Sequence, residues 1–203
     1  MNKMKNAAGH LDTFFRVLHI CTGIAAITSA VGVAVILAAF MFRLDPDSIA
    51  TGFTSISIGF LDLEIAPAHA PDKRAVLMQF AVVLAFAVLI SLICRRFIAC
   101  MRKLLNPMTQ GEPFRADAGK HVAELAKLSI VIGVLVNAAM IVSQAMTVFA
   151  LGLPELLVSE KITRVTGNFT FDLSFLAFSA VLFLLSYVFR YGEELQQLSD
   201  ETL

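Results

Sequence analysis

The chain has 203 residues, of which 58% are hydrophobic and 16% are charged, and its formal net charge is zero. Soluble domains carry about a quarter of their residues as Asp, Glu, Lys or Arg. The composition therefore excludes an ordinary soluble domain and indicates an integral membrane protein.

Four stretches contain no Asp, Glu, Lys or Arg and are long enough to cross a bilayer. They cover residues 17–42, 75–94, 128–154 and 173–189. A membrane-spanning helix needs about 20 apolar residues, with a range of about 17 to 25. We predict a single membrane domain over residues 1–203, an all-α four-helix bundle with a small extracytoplasmic cap. Its predicted spans are about 14–42, 75–101, 121–154 and 171–190.

The first predicted span carries alanines at four-residue steps, and such small side chains favour the close approach of a neighbouring helix. The residues of this ridge are Ala26, Ala30, Ala34 and Ala38. We interpret the ridge as helix packing rather than as a functional surface.

Two outer loops, 43–74 and 155–170, each lead through a β-prone run. The runs 54–61 and 164–171 are rich in β-branched and aromatic residues. We expect them to pair as a small sheet that closes the outer end of the bundle, and a ligand-binding cap is the alternative.

The second span is expected to continue as an amphipathic helix along the membrane surface, because apolar and basic residues alternate from 96 to 105. Pro107 is expected to end this helix. A new helix is expected to begin near Asp117, which can serve as its N-cap.

Polar residues share one face of the third predicted span, at positions Ser129, Gly133, Asn137 and Gln144. This face should point into the bundle, because an amide exposed to lipid leaves its donors and acceptors unpaired at a cost of several kcal/mol. We favour interhelical hydrogen bonding as its role. A polar pocket near the middle of the membrane, with Ser129, Asn137 and Gln144 as its candidate residues, is the alternative.

Basic residues are distributed unevenly around the spans, which predicts the orientation of the chain. Eleven Lys and Arg residues fall in the N-terminal tail, the segment 95–127 and the C-terminal tail with Arg190, against five in the outer loops. Both termini are therefore expected on the cytoplasmic side. The segment 95–127 has a net charge of +4, and the chain from Arg190 onward has a net charge of −3. The tail 191–203 can dock on this segment, or the segment can face anionic headgroups while the tail is solvated.

Residue patterns for catalytic and metal sites are missing. His19 is the one histidine within a predicted span, and a bis-histidine haem site would require His121 as its partner. Cys94 and Cys100 have a spacing that fits no usual zinc pattern. There is also no phosphate loop, H-E-x-x-H or nucleophile elbow. We therefore expect no metal, no cofactor and no enzymatic activity.

Four predicted spans occur together with three motifs, NPMTQGEPF at 106–114, GNFTFDLSFL at 167–176 and FRYGEELQQLSDETL at 189–203. In this arrangement the chain resembles, over nearly its whole length, the bacterial membrane family called domain of unknown function 2975. Arg115 departs from the pattern of that family, in which a Ser-type cap follows the G-x-P-F turn. Members of the family are often encoded beside a small DNA-binding protein of the helix-turn-helix class. The resemblance therefore implies a membrane partner of a transcription factor.

We expect a regulatory or scaffold protein of the bacterial inner membrane that docks a helix-turn-helix regulator at its cytoplasmic face and binds no nucleic acid itself. Small-molecule binding or transport through the polar face is the alternative, although the absence of charged residues from the spans argues against transport. The lipid bilayer is the expected surrounding, and homo-oligomers remain open. Leu195 and Leu198 are expected to rest on the bundle while the tail carboxylates face outward. The candidate docking residues are Gly111, Pro113, Phe114, Gly192, Glu193, Glu194, Leu195, Asp200 and Glu201.

Overall fold

The structure is a computed structural model that describes residues 2–42, 55–58, 61–64, 73–110, 117–150 and 171–201. Its helices are α1 (Asn2–Met41), α2 (Lys73–Gln110), α3 (Ala118–Ala150) and α4 (Ser174–Glu201). Two short strands, β1 (Ser55–Ile58) and β2 (Leu61–Glu64), lie between α1 and α2 in the chain.

All four helices are long and apolar enough to cross a membrane. The qualifying segments are Gly9–Met41, Arg74–Pro107, Ala118–Val148 and Ser174–Leu198. Large apolar side chains stay exposed along them, such as Ile27 and Val31 on α1 and Leu184 and Val188 on α4. Soluble monomers rarely expose continuous apolar faces of this kind, whereas lipid tails would cover them. The prediction of a multi-pass, all-α membrane protein is confirmed.

Helices α1 and α2 extend further than predicted, and α4 continues past the predicted end of its span at 190 to Glu201. α1 begins at Asn2, so the N-terminal tail belongs to the first helix. α2 continues through Pro107 to Gln110, and the prediction that Pro107 ends the helix is wrong. Pro107 lies in the last turn, where its missing N–H removes a single hydrogen bond and little helix remains to be disrupted.

The two strands form an antiparallel pair in which Ser55 lies opposite Glu64 and Ile58 lies opposite Leu61. The first β-prone run therefore pairs with the residues that directly follow it. The second predicted run, 164–171, falls outside the described residues except for Phe171. A sheet formed between the two loops stays a prediction.

The chain divides into two compact units, and the first contains Met1–Ile27, Val88–Asn137 and Asp172–Leu203. Within this unit one, successive helices run antiparallel. The side chain of Arg102 on α2 donates to Asp12 on α1 at 2.9 Å, and Cys100 on α2 lies beside His121 on α3. We call the end of unit one that contains the start of α1, the end of α2, the start of α3 and the end of α4 its proximal end.

Within unit one, α3 and α4 approach closely at two glycines. A Cβ atom placed on Gly119 would lie 3.1 Å from the backbone oxygen of Ser186 and would overlap the Arg190 side chain. A Cβ atom on Gly133 would overlap the ring of Phe175. Small residues permit such approaches between membrane helices, which associate through packing rather than through the hydrophobic effect.

The second unit contains Thr28–Ala87 and Ala138–Phe171. Here the amide of Gln79 on α2 donates to the hydroxyl of Thr147 on α3 at 2.5 Å, and this hydroxyl donates to the Ser143 carbonyl at 2.8 Å. Gly32 on α1 lies against Leu84 on α2. A short polar network thus joins α2 to α3 within this second unit.

The predicted alanine ridge of α1 is only partly buried. Ala26 is buried and Ala38 is half-buried, whereas Ala30 and Ala34 are exposed. An α-helix turns about 100° per residue, so a four-residue step drifts by about 40° around the axis. Over three steps the ridge drifts by about 120° and leaves the packed face.

Candidate functional site

The start of α3 is capped by a carboxylate from the end of α4. Oε1 of Glu193 accepts a hydrogen bond from the backbone N–H of Gly119 at 2.7 Å. The first N–H groups of a helix have no partner within the helix, and they favour negative charge. Glu193 of the acidic tail therefore contacts the protein's own segment 95–127 at Gly119, while the two alternatives for the tail as a whole stay predictions.

Asp117 directly precedes α3, as predicted, and its carbonyl accepts the N–H of His121 at 3.0 Å. Its backbone has a positive φ of 81°, a conformation that is uncommon for a residue with a side chain. The carboxylate bonds Nζ of Lys120 at 2.6 Å. The hydrogen bond and the charge of Lys120 hold the pKa of the Asp117 carboxyl below its usual range. The side chain of Asp117 thus pairs with a lysine, while the N–H of Gly119, a buried residue, is left to Glu193.

The end of α4 carries exposed apolar and acidic residues beyond Arg190. Leu195 is 50% exposed and Leu198 is 60% exposed, and Glu194 and Glu201 are also exposed. The expectation that the two leucines rest on the bundle is therefore wrong. Glu193 is the residue that turns inward.

The exposed residues share one side of α4. At about 100° per residue, Glu194, Leu195, Leu198 and Glu201 fall within an arc of about 120°. Glu193 lies about 140° away from the centre of that arc, because its side faces the start of α3. We call these four residues the α4 docking face.

A cysteine, a histidine and a glutamate meet where α2 passes the first turns of α3. Sγ of Cys100 lies 4.0 Å from Nδ1 of His121 and 3.7 Å from Oε2 of Glu124. The histidine nitrogen and the glutamate oxygen lie 3.9 Å apart. The thiol also donates to the backbone carbonyl of His121 at 3.3 Å. These three side chains form the set of potential metal ligands found within the described residues.

Asn137 is buried at the opposite end of unit one and uses its amide group fully. Its Nδ2 donates to the Gly133 carbonyl at 2.8 Å and to the Asp172 carbonyl at 3.1 Å. Its Oδ1 accepts the N–H of Asp172 at 2.8 Å. Asp172 in turn accepts the hydroxyl and the N–H of Ser174, and these bonds lower the pKa of its carboxyl. Asn137 thus ties α3 to the segment that starts α4, which supports the interpretation as interhelical hydrogen bonding.

Ser129 and Gln144, the other polar residues predicted to share this face of α3, differ in burial. Ser129 is buried, as predicted, whereas Gln144 is exposed, contrary to the prediction. The polar contact near Gln144 is made by Thr147 with Gln79, about 60° further around α3. The structure therefore brings Ser129 and Asn137 into unit one but does not join Gln144 to them.

Several predicted site residues fall elsewhere. Gly111, Pro113 and Phe114, the proposed turn, lie outside the described residues. Gly192 is half-buried, and Asp200 belongs to the last turn of α4. Nδ1 of His19 is buried and has no hydrogen-bond partner within the described part of the chain.

The usual zinc patterns pair cysteines closely in the sequence, so they do not indicate the cluster of Cys100, His121 and Glu124. A histidine and a glutamate three residues apart lie on one side of a helix, where both can reach the same point. The three-residue spacing is the signal in the sequence that could have identified His121 and Glu124 as a pair of potential ligands. Cys100, the third residue, could be found only from the structure, which shows which turn of α2 passes α3.

No protein-family model, curated protein or solved structure matches this chain.

Proposed function

We propose that this chain is a multi-pass protein of the bacterial inner membrane that docks a cytoplasmic regulator of the helix-turn-helix class on the end of α4. The observation that carries the proposal is the α4 docking face, Glu194, Leu195, Leu198 and Glu201, which lies beyond the uncharged stretch 173–189. The eleven residues after Arg190 that α4 still contains extend it by about 16 Å. The face is held in place because Glu193 fixes this part of α4 to α3.

Charge argues for a basic protein as the partner. The chain from Arg190 onward carries a net charge of −3, which an anionic leaflet would repel. Two exposed leucines between carboxylates suit a partner with an apolar patch that is bordered by Lys and Arg. A DNA-binding protein has such basic residues, and the resemblance to domain of unknown function 2975 supplies the helix-turn-helix class.

The orientation follows from the basic residues. All four helix ends that meet at the proximal end of unit one belong to the segments with eleven Lys and Arg residues, whereas the outer loops have five. Cytoplasmic loops carry the excess of basic residues. We therefore assign the proximal end and both termini to the cytoplasm.

Transport or small-molecule binding through the polar face of α3 receives less support. The amide of Asn137 is occupied by Gly133 and Asp172, and Gln144 is separate from it and exposed. We also propose that the chain has no enzymatic activity. The polar contacts of Asn137 and Glu193 serve to join helix ends.

Fractionation of native membranes tests the docking proposal. With the wild-type chain, mass spectrometry should identify a basic helix-turn-helix protein in the membrane fraction. Replacing both carboxylates of the docking face, Glu194→Gln with Glu201→Gln, should reduce its retention about tenfold, because two exposed charge pairs are worth about 0–1 kcal/mol each.

The control changes charge on the other side of α4. Gln196→Lys raises the charge of the tail by one unit, as Glu194→Gln alone does, but position 196 lies about 160° from the centre of the docking face. Retention should fall for Glu194→Gln and not for Gln196→Lys. Equal retention in the wild type and the double variant, or the absence of a helix-turn-helix protein, would contradict the proposal.

A further inference from the structure

We propose that Cys100, His121 and Glu124 bind one Zn²⁺ ion at the proximal end of unit one, with the fourth coordination position left to water or to a ligand from another molecule. The site joins α2 to α3. It is independent of the docking proposal, because none of its ligands belongs to the α4 docking face.

The ligand types fit this metal. A thiolate, an imidazole and a carboxylate are the three groups that Zn²⁺ accepts in proteins, whereas Mg²⁺ and Ca²⁺ select oxygen ligands. A thiolate in the set also favours a soft or borderline cation. The cluster therefore selects against the abundant hard cations of the cytoplasm.

The distances fit as well. A tetrahedral zinc ion with bonds of about 2.3 Å to sulfur and about 2.0–2.2 Å to nitrogen and oxygen places its ligand atoms about 3.4–3.6 Å apart. The three ligand atoms here are separated by 4.0, 3.7 and 3.9 Å. Each distance needs to shorten by about 0.1–0.5 Å to match tetrahedral zinc, which small side-chain rotations provide.

Burial is graded across the cluster in the way that an accessible metal site requires. Cys100 is 4% exposed, whereas the side chains of His121 and Glu124 are 29% and 48% exposed. The thiol thus forms the floor of the site and the carboxylate forms its rim, so that an ion can enter from the side of Glu124. Within the described residues no further His, Cys, Asp or Glu joins the three, which leaves one tetrahedral position open.

Binding changes the state of the thiol in a balanced step. The sulfur of Cys100 loses its proton to solvent, its S–H contact with the His121 carbonyl is given up, and a Zn–S bond replaces one zinc–water bond. Nδ1 of His121 and an oxygen of Glu124 displace further waters, and the remaining waters leave until one fills the fourth tetrahedral position. No oxidant or reductant is needed, because Zn²⁺ keeps its charge throughout.

The test uses the full-length chain, purified in detergent and dialysed after incubation with Zn²⁺ alone. Plasma mass spectrometry should find one zinc per chain in the wild type. Substitution of Co²⁺ for Zn²⁺ should give the near-ultraviolet charge-transfer absorption of a cobalt–thiolate bond. Cys100→Ser should lose both signals.

Matched controls come from the other cysteines. Cys94→Ser removes a thiol six residues earlier on α2, and Cys21→Ser removes an exposed thiol on α1; both variants should keep the zinc and the cobalt signal. Glu124→Gln replaces a half-exposed side chain, so the fold should tolerate it. Replacing a residue that only hydrogen-bonds a zinc ligand lowers metal affinity by about 10- to 100-fold. Glu124→Gln removes a ligand itself, so its affinity for Zn²⁺ should fall by more than this.

Thermal unfolding gives a second readout. Zn²⁺ should raise the melting temperature of the wild type and of Cys94→Ser, but not that of Glu124→Gln. The proposal is overturned if the wild type retains no stoichiometric zinc, if the cobalt complex lacks the thiolate absorption, or if Cys100→Ser retains metal as well as Cys94→Ser does.

Discussion

Asn137 connects α3 to the segment that starts α4. It is 5% exposed, and its amide forms a closed pair of hydrogen bonds with the backbone of Asp172. Without Asn137, the N–H and C=O groups of Asp172, an exposed residue, would lose these two hydrogen bonds. Each such bond stabilises a fold by about 0.5–1.5 kcal/mol, so Asn137 should stabilise the start of α4.

We predict that Asn137→Ala lowers the free energy of unfolding in detergent micelles by about 1–3 kcal/mol, because two hydrogen bonds to Asp172 are lost and each contributes about 0.5–1.5 kcal/mol. Gln144→Ala is the matched control, because it removes an exposed amide from the same helix and should change stability by less than about 0.5 kcal/mol. Equal losses in the two variants would show that Asn137 has no special role.

At the residue scale, the sequence predicts the burial of Asn137 but not its hydrogen-bond partner. Burial of Asn137 follows from the cost of exposing an amide to lipid, and this was predictable. Its partner, the backbone of Asp172, was not, because it lies 35 residues away. The exposure of Gln144 was unpredictable for the same reason, since the local period of a helix does not say where its neighbours end.

The start of α3 and the end of α4 are joined by a hydrogen bond and by close backbone packing. Glu193 caps Gly119, and the backbones approach so closely that Gly119 has no room for a side chain. The charge of Glu193 also lies where the partial positive charge of the α3 N-terminus is greatest. We infer that α4 orders the first turn of α3.

Glu193→Ala should therefore uncouple the two helices at this point. Loss of a cap costs about 0.5–2 kcal/mol, so hydrogen exchange of the Gly119 amide should accelerate by about two- to thirtyfold. Glu194→Ala removes the neighbouring carboxylate, which is exposed, and should leave this exchange unchanged. Acceleration in both variants would indicate a general effect of tail charge instead of a cap.

At the scale of elements, the apolar stretches were predictable because hydrophobicity is a local property of the chain. The alanine ridge was not a reliable guide to packing. Residues spaced by four drift around the helix axis, so only Ala26 of that ridge is buried. Likewise Pro107 did not mark the end of α2, because a proline removes one helix hydrogen bond and α2 continues for only three more residues.

On the scale of the whole molecule, the described helices account for a multi-pass membrane protein with an even number of candidate spans, namely four. An even number of crossings returns the chain to the membrane face from which it starts. The proximal end of unit one would then present the end of α4, the basic segment 95–127 and the cluster of Cys100, His121 and Glu124 to the same compartment. The docking proposal depends on that compartment being the cytoplasm.

A photo-crosslinking amino acid at position 195 in living cells tests the central claim most directly, that the end of α4 binds a cytoplasmic regulator. Leu195 belongs to the docking face, whereas the control position Leu184 is 67% exposed and lies in the uncharged stretch 173–189 of α4. We predict an adduct with a basic helix-turn-helix protein at position 195 and lipid adducts alone at position 184. Lipid adducts alone at both positions would contradict the account.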